Sequence, residues 1–391
     1  MSTAHAERAH ALLSASGSKR WLTCTPSAQL ETEFPDQTSE FAEEGTFAHE
    51  LSEIHLMKYI GQISKSTATR RLNKKKKGEW YSEEMADYVQ VYVDHVIERI
   101  NEAKAKTKDA VISIEQRLDF SAWVPDGFGT GDVVIVADGV LEVIDLKYGK
   151  GVPVFAEDNS QARLYALGAL TLYGFLYDIE TVRMTIVQPR LDSISTDEMA
   201  VDSLIAWADE VVKPRAEMAI NGEGEFVAGD HCRFCKARST CRKRAEENLE
   251  LARHDFKDSK LLSTEEVAEV LAKVSEIQKW AEDVKKYALD QAENHGVKYP
   301  GYKLVEGRSN RKYKNEEAVA KALLEEGYEK EKIYNKSLLT LSKMEKEIGK
   351  KAFGQVLGDL VIKPVGKPTL APVSDKRPEI NSTDSAVADF K

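Results

Sequence analysis

The segment that most limits what this chain can become is residues 129–147, reading GTGDVVIVADGVLEVIDLK. Both arms are rich in β-branched residues, and Asp138-Gly139 between them is a two-residue turn signal of the kind that needs positive φ. A two-residue loop fixes the pairing. Ala137 then faces Val140, Val136 faces Leu141, and counting outward sets Asp132 opposite Asp145 with both side chains on one face. Lys147 lies two residues beyond Asp145 and shares that face. Carboxylates directly across a ladder repel each other, so such a pair is expected where a cation sits between them. Hard oxygen donors at that separation suit Mg²⁺ or Mn²⁺.

The flanking segments extend the pattern. A Gly-rich bend over 148–151 leads into a helical stretch from about Asn159, which puts Gln161 and Tyr165 at i and i+4 on one face. The order Gly-Thr-Gly-Asp, Ile-Asp-Leu-Lys, Gln-x-x-x-Tyr resembles the PD-(D/E)XK nucleases of the RecB-like branch. That resemblance implies that Asp132 and Asp145 are metal ligands, that Leu146 lends its backbone carbonyl, and that Lys147 is catalytic. It also implies that Gln161 and Tyr165 contact the DNA strand near the scissile phosphate. The same family carries a Gly-Thr-x-x-His helix ahead of its core, and Gly45-Thr46-Phe47-Ala48-His49 matches it, so the resemblance makes His49 a further metal ligand. Glu115, on a strand expected over 110–120, is a candidate third carboxylate or a solvent-facing strand residue.

The 391 residues leave room for one large core with an accessory region, or for two domains. A net charge of −10 argues against indiscriminate coating of nucleic acid, although it permits local basic patches. One such patch is the run Arg70, Arg71 and Lys74 to Lys77, closed by Gly78, which reads as a solvated or phosphate-contacting loop. The first residues lack the apolar core of a signal peptide, and the most apolar run, 165–177, is too short for a bilayer. A cytoplasmic protein without a membrane partner is therefore expected. Helices are expected over 82–104 and 196–219, and a strand over 181–188 ended by Pro189. Helix, three strands, helix and strand in this order give an α/β fold, a mixed sheet flanked by helices.

Three of the four cysteines fall in residues 230–244 as C-x2-C-x5-C, amid six basic residues with no acid after Asp230. With Cys24 far upstream, Cys232, Cys235 and Cys241 make a four-thiolate site credible, and spacing alone leaves Zn²⁺ and an iron-sulfur cluster open. The pattern is similar to that of RecB-like nucleases with an iron-sulfur staple, such as AddB-type helicase-nucleases and CRISPR-associated exonucleases. This likeness implies a structural [4Fe-4S] cluster tying an N-terminal helix to the end of the nuclease core.

A nuclease domain over 1–245 and a mostly helical accessory region over 246–391 are thus expected. In the latter, Ser263 with Glu266 forms a capping box for a helix reaching about His295 and stopping at Gly296. A strand over 302–306 is followed by Arg308, Arg311 and Lys312, and helices are expected over 315–326 and 342–360. Prolines make 363–370 and 375–378 extended, and the last ten residues read as disordered. The whole layout is similar to a group of phage and prophage proteins with a RecB-like core. That likeness implies a metal-dependent DNA nuclease, most simply an exonuclease, in phage recombination or replication, with DNA and a single-strand-binding or annealing protein as partners. The competing reading is a non-catalytic DNA-binding scaffold.

Overall fold

The computed structural model describes residues 12–35, 39–250, 264–305, 315–334, 338–339, 341–357 and 360–361. The chain opens with α1 (Ser18–Thr23), α2 (Ser27–Leu30), α3 (Glu40–Tyr59), α4 (Lys65–Lys75) and α5 (Glu83–Lys106). Strands β1 (Val111–Asp119), β2 (Phe128–Ala137) and β3 (Val140–Leu146) follow, then α6 (Ser160–Tyr173), β4 (Thr181–Gln188) and β5 (Ser193–Ala200). Next come α7 (Val201–Trp207), α8 (Lys213–Asn221), α9 (Arg242–Glu250) and the long α10 (Thr264–Asn294). The longer helices begin where a polar side chain satisfies an orphan amide: Ser39, Ser64, Ser82 and Asn159 accept from the backbone N–H three residues on.

The strands form one five-stranded sheet in sequence order. Neighbours pair antiparallel except β3 and β4, which are parallel with α6 as the crossover between them. The hairpin has the expected register, with Ala137 paired to Val140 and Val136 to Leu141. Asp138 and Gly139 adopt φ of +51° and +73°, the left-handed pair that a tight two-residue turn demands.

Both faces of the sheet are covered, so its central strands read as near-continuous apolar runs. Val134, Val136, Leu141 and Val143 pack with Leu164 and Leu167 of α6, whereas Val133, Ile135, Ile144 and Leu146 pack with Leu51 of α3 and Val89 and Val96 of α5. The α/β architecture expected from the sequence is the one observed, with helices on both faces of a mixed sheet.

Several elements differ from expectation. The basic run 70–77 belongs largely to a helix, α4, which Ala68 and Leu72 anchor to the α3/α5 core. The helix expected over 196–219 starts at Val201, because residues 193–200 form β5, an edge strand of alternating exposure laid against β4. Its polar side chains suit an edge facing water and give no apolar alternation to read.

The chain divides into two compact units, Met1–Ala288 and Leu289–Lys391, later than the boundary expected after residue 245. Physically, the cysteine segment is bound to α10: Arg244 pairs with Glu276 and Asp283, and Arg238 with Asp283. The second unit contains α11 (Glu316–Glu325), α12 (Lys330–Ile333), α13 (Leu341–Ile348) and α14 (Lys350–Leu357). Gly349, at φ +81°, breaks the helix expected over 342–360 into the last two. Residues 302–305 form no strand. Ser263, Arg308, Arg311, Lys312, the proline segments and the final ten residues lie outside the described residues.

Candidate active site

The site forms where β1 and β2 lose their regular alternation. On β2, Val134 and Val136 turn toward α6, and a Cβ on Gly131 or Gly129 would strike Leu118 or Tyr165 of that same core, so the faces slip by one at Asp132. On β1, Ile114 and Leu118 lie four residues apart yet enter opposite cores, and between them Glu115 has φ of +52°. The ladder runs on both sides of the Glu115/Asp132 position and is interrupted there. A non-glycine residue in the left-handed region costs free energy and persists only where its surroundings demand it. Here the double slip brings Glu115 and Asp132 toward His49 of α3.

Ligand atoms of His49, Glu115 and Asp132 lie within 4.8 Å of one another, the one such group of three that could hold a metal ion among the described residues. His49 Nδ1 is 3.1 Å from Asp132 Oδ1, and the Leu146 amide donates to Asp132 Oδ2 at 2.7 Å. The leucine side chain is buried in the α3/α5 core. Asp145 stands beside this group, outside the close triad. Its Oδ2 lies 2.9 Å from Lys147 Nζ in an ion pair without the alignment of a hydrogen bond. Lys147 donates to Gln161 Oε1 at 2.9 Å, and Gln161 Nε2 donates to the Tyr165 hydroxyl at 3.2 Å. Five separate segments, α3, β1, β2, the end of β3 and α6, thus bring together the residues that the sequence singles out for this site.

The electrostatics follow from crowding acids under cover. Burial pushes the Asp132 carboxyl up, but the His49 charge and the donated Leu146 amide outweigh it and hold Asp132 below the usual range. Asp145 is raised, chiefly by burial and also by Asp132, with Lys147 opposing. Burial works against a charge on His49, yet Asp132 overcomes it and lifts the imidazole to about 9. Oxygens and an imidazole converging with mutual repulsion between acids form a donor set that suits a hard divalent cation.

Tyr92 of α5 escaped sequence reasoning. It is fully buried, its hydroxyl has no hydrogen-bond partner among the described residues, and burial together with Asp132, Asp145 and Glu115 pushes its ionisation well up. Only its place on the apolar face of a long helix hinted at burial, and nothing in the sequence hinted at acids nearby.

The cysteines form a second centre. Cys24, Cys232, Cys235 and Cys241 line one cavity together with Arg20, His231, Arg238 and Arg244. All are free, the first three buried and Cys241 partly so. Burial pushes the Cys232 thiol up, and burial with Glu31 pushes Cys235 up to about 12. His231 Nε2 donates to the Val227 carbonyl at 2.9 Å. Glu31, likewise missed in the sequence, binds Arg20 Nε and the Lys236 amide at 2.7 Å each, tying α2 to the cysteine segment.

Comparison with known proteins adds one firm assignment, because the family described as protein of unknown function DUF2800 matches residues 10–378. The chain belongs to the DUF2800 family. Among solved structures, it is similar to a candidate exonuclease from Eubacterium rectale at 16% identity, over 65% of this chain and 92% of that one, with a TM-score of 0.30. It is also similar to the protein SSO0001 at 14% identity, over 58% of this chain and 96% of that one, with a TM-score of 0.22. Both likenesses are too weak to carry any chemistry over to this DUF2800 member.

Proposed function

We propose that this DUF2800 protein is a metal-dependent deoxyribonuclease, acting as an exonuclease on phage or prophage DNA. The observation that carries the reading is the meeting of the His49, Glu115 and Asp132 group with the Asp145–Lys147 pair, 2.9 Å between Oδ2 and Nζ. His49, Glu115, Asp132, Asp145 and the Leu146 carbonyl would hold Mg²⁺ or Mn²⁺. When bound, such an ion supplies positive charge at the scissile phosphate and a more acidic water.

The protein's part is placement and charge. Lys147, held between Asp145 and Gln161, keeps its ammonium where negative charge develops on the phosphoryl oxygens. Gln161, fixed by Lys147 on one side and Tyr165 on the other, orients the strand. Asp145, buried and raised, tolerates its charge through the lysine.

The four cysteines would hold a structural [4Fe-4S] cluster. All four line one cavity and the first three are buried, which suits a closed four-thiolate site.

The test is digestion of end-labelled linear and covalently closed circular DNA with Mg²⁺, with Mn²⁺ and with chelator. Metal-dependent loss of the linear form, with the circle intact, is expected. Cleavage of the circle at the same rate would make the enzyme an endonuclease, and no cleavage of either would contradict the proposal.

A further inference from the structure

Helix α4 is a concentrated positive surface in a chain of net charge −10. Residues 65–78 contain seven lysines and arginines and no acid. Six of them, Lys65, Arg70, Arg71, Lys74, Lys76 and Lys77, are exposed. A solvated helix usually intersperses both signs, since like charges at i,i+3 and i,i+4 destabilise it. Here Arg70 and Lys74, Arg71 and Lys74, and Arg71 and Lys75 repel without an acid between them.

Packing fixes where this surface lies. Ala68, Leu72 and Lys75, at i, i+4 and i+7, form the inward stripe. The seventh cation, Lys75, bonds the Glu50 carboxylate and lies over the Phe47 ring at 4.7 Å. The turn after α4 closes on the same ring, where a Cβ at Gly78 would come 2.8 Å from Phe47 Cε2. The C-terminal end of α4 is therefore pinned to α3 at residues 47–50, with His49 among them turned to the acid group. Toward its other end, Lys65, Ser66, Thr69, Arg70 and Asn73 line a shallow depression of donor groups without a carboxylate.

We infer that α4 is the nucleic-acid track of this enzyme: its exposed cations bind consecutive phosphates of the DNA backbone and lead the strand to the His49 end of the site. The inference rests on the nuclease reading for the identity of the anion. A row of lysines and arginines recognises backbone charge without reading bases, which suits an enzyme that degrades any sequence. The pinning at Glu50 fixes the track relative to the catalytic face, so that binding energy along α4 orients the phosphodiester.

Fluorescence anisotropy of the full chain in chelator, on labelled duplex and single-stranded DNA, tests this without cleavage. The probe variant is Arg70→Gln/Arg71→Gln/Lys74→Gln/Lys76→Gln/Lys77→Gln. Each lost duplex phosphate contact flattens the slope of log affinity against log salt by about 0.9, so the slope should fall by about four and affinity at about 0.1 M salt by tenfold or more. If that variant loses its helical circular dichroism, the pairs Arg70→Gln/Arg71→Gln and Lys76→Gln/Lys77→Gln carry the test, with a slope change of about two each. Equal affinity and slope in variant and wild type would overturn the inference while leaving the nuclease reading intact. Wild-type protein that ignores both DNA forms but sediments with phosphatidylserine vesicles would overturn both.

Discussion

His49 receives opposite instructions from its surroundings, and the outcome gives a measurable pH dependence. Burial disfavours its charge, whereas Asp132 at 3.1 Å favours it, and the imidazole ends near 9. Because this folded value exceeds the unfolded value of about 6.5, the pair stabilises metal-free protein fully below about 6.5 and ceases to do so as pH rises through about 9. A metal must displace that proton. Calorimetric titration of Mn²⁺ in two buffers of different ionisation enthalpy should therefore show about one proton released per metal near neutral pH, fading above about 9, with affinity rising over that interval. A proton count of zero at neutral pH would show that His49 is no ligand. At the same scale, two-residue turn chemistry fixes the hairpin register from Ala137–Val140 to Val133–Ile144, whereas Asp132 and Asp145 lie just beyond those pairs at the slip in β2, and Gln161 and Tyr165 are read from helical spacing and a family resemblance. Tyr92 and the strained backbone of Glu115 were not legible, since neither a buried hydroxyl's neighbours nor a positive φ leaves a sequence mark on a residue of that type.

Among the elements, those with strong periodicity or capping were readable. The hairpin, α5, α6, β4 and α10 lie close to where turn, cap and apolar pattern place them. Strand β5 was not, because a polar edge strand carries no apolar alternation, and α4 was not, because its apolar anchors are only Ala68 and Leu72. Nor could sequence show that α10 grips the cysteine segment. There Arg244, 1% exposed, donates to Glu276 at 2.6 Å and to Asp283 at 2.7 Å, and Arg238 adds a second link to Asp283. Removing one partner of a buried pair costs roughly 3–5 kcal/mol, and Arg244→Ala should cost about 3, since both acids keep partial exposure. Lys279→Ala, which removes only a half-exposed contact at 4.0 Å, should change stability by about 0.5 kcal/mol or less. Urea unfolding separates the two, and equal effects would mean that α10 is not a structural clamp.

Across the whole molecule, two centres divide the labour. The acid group lies at the break in the β1/β2 ladder, and the cysteine cavity joins the N-terminal helices to the segment after α8. Because Cys24 and Cys232 lie some two hundred residues apart in sequence, a cofactor bridging them closes a very long loop and restricts the unfolded chain. Protein purified without oxygen should be brown, with iron and sulfide in near-equal amounts, and Cys24→Ser should bleach it and lower its thermal midpoint. A colourless anaerobic preparation with one zinc per chain would replace the cluster by a zinc staple and leave the acid group's chemistry untouched. Whether the acid group performs the cleavage is read from release of label from end-labelled linear DNA with Mn²⁺. Asp145→Asn and Lys147→Ala should each lower the rate by roughly a hundredfold or more with unchanged circular dichroism, because each removes charge where the phosphate reacts; either variant cleaving at the wild-type rate would mean that the acid group is not the active site.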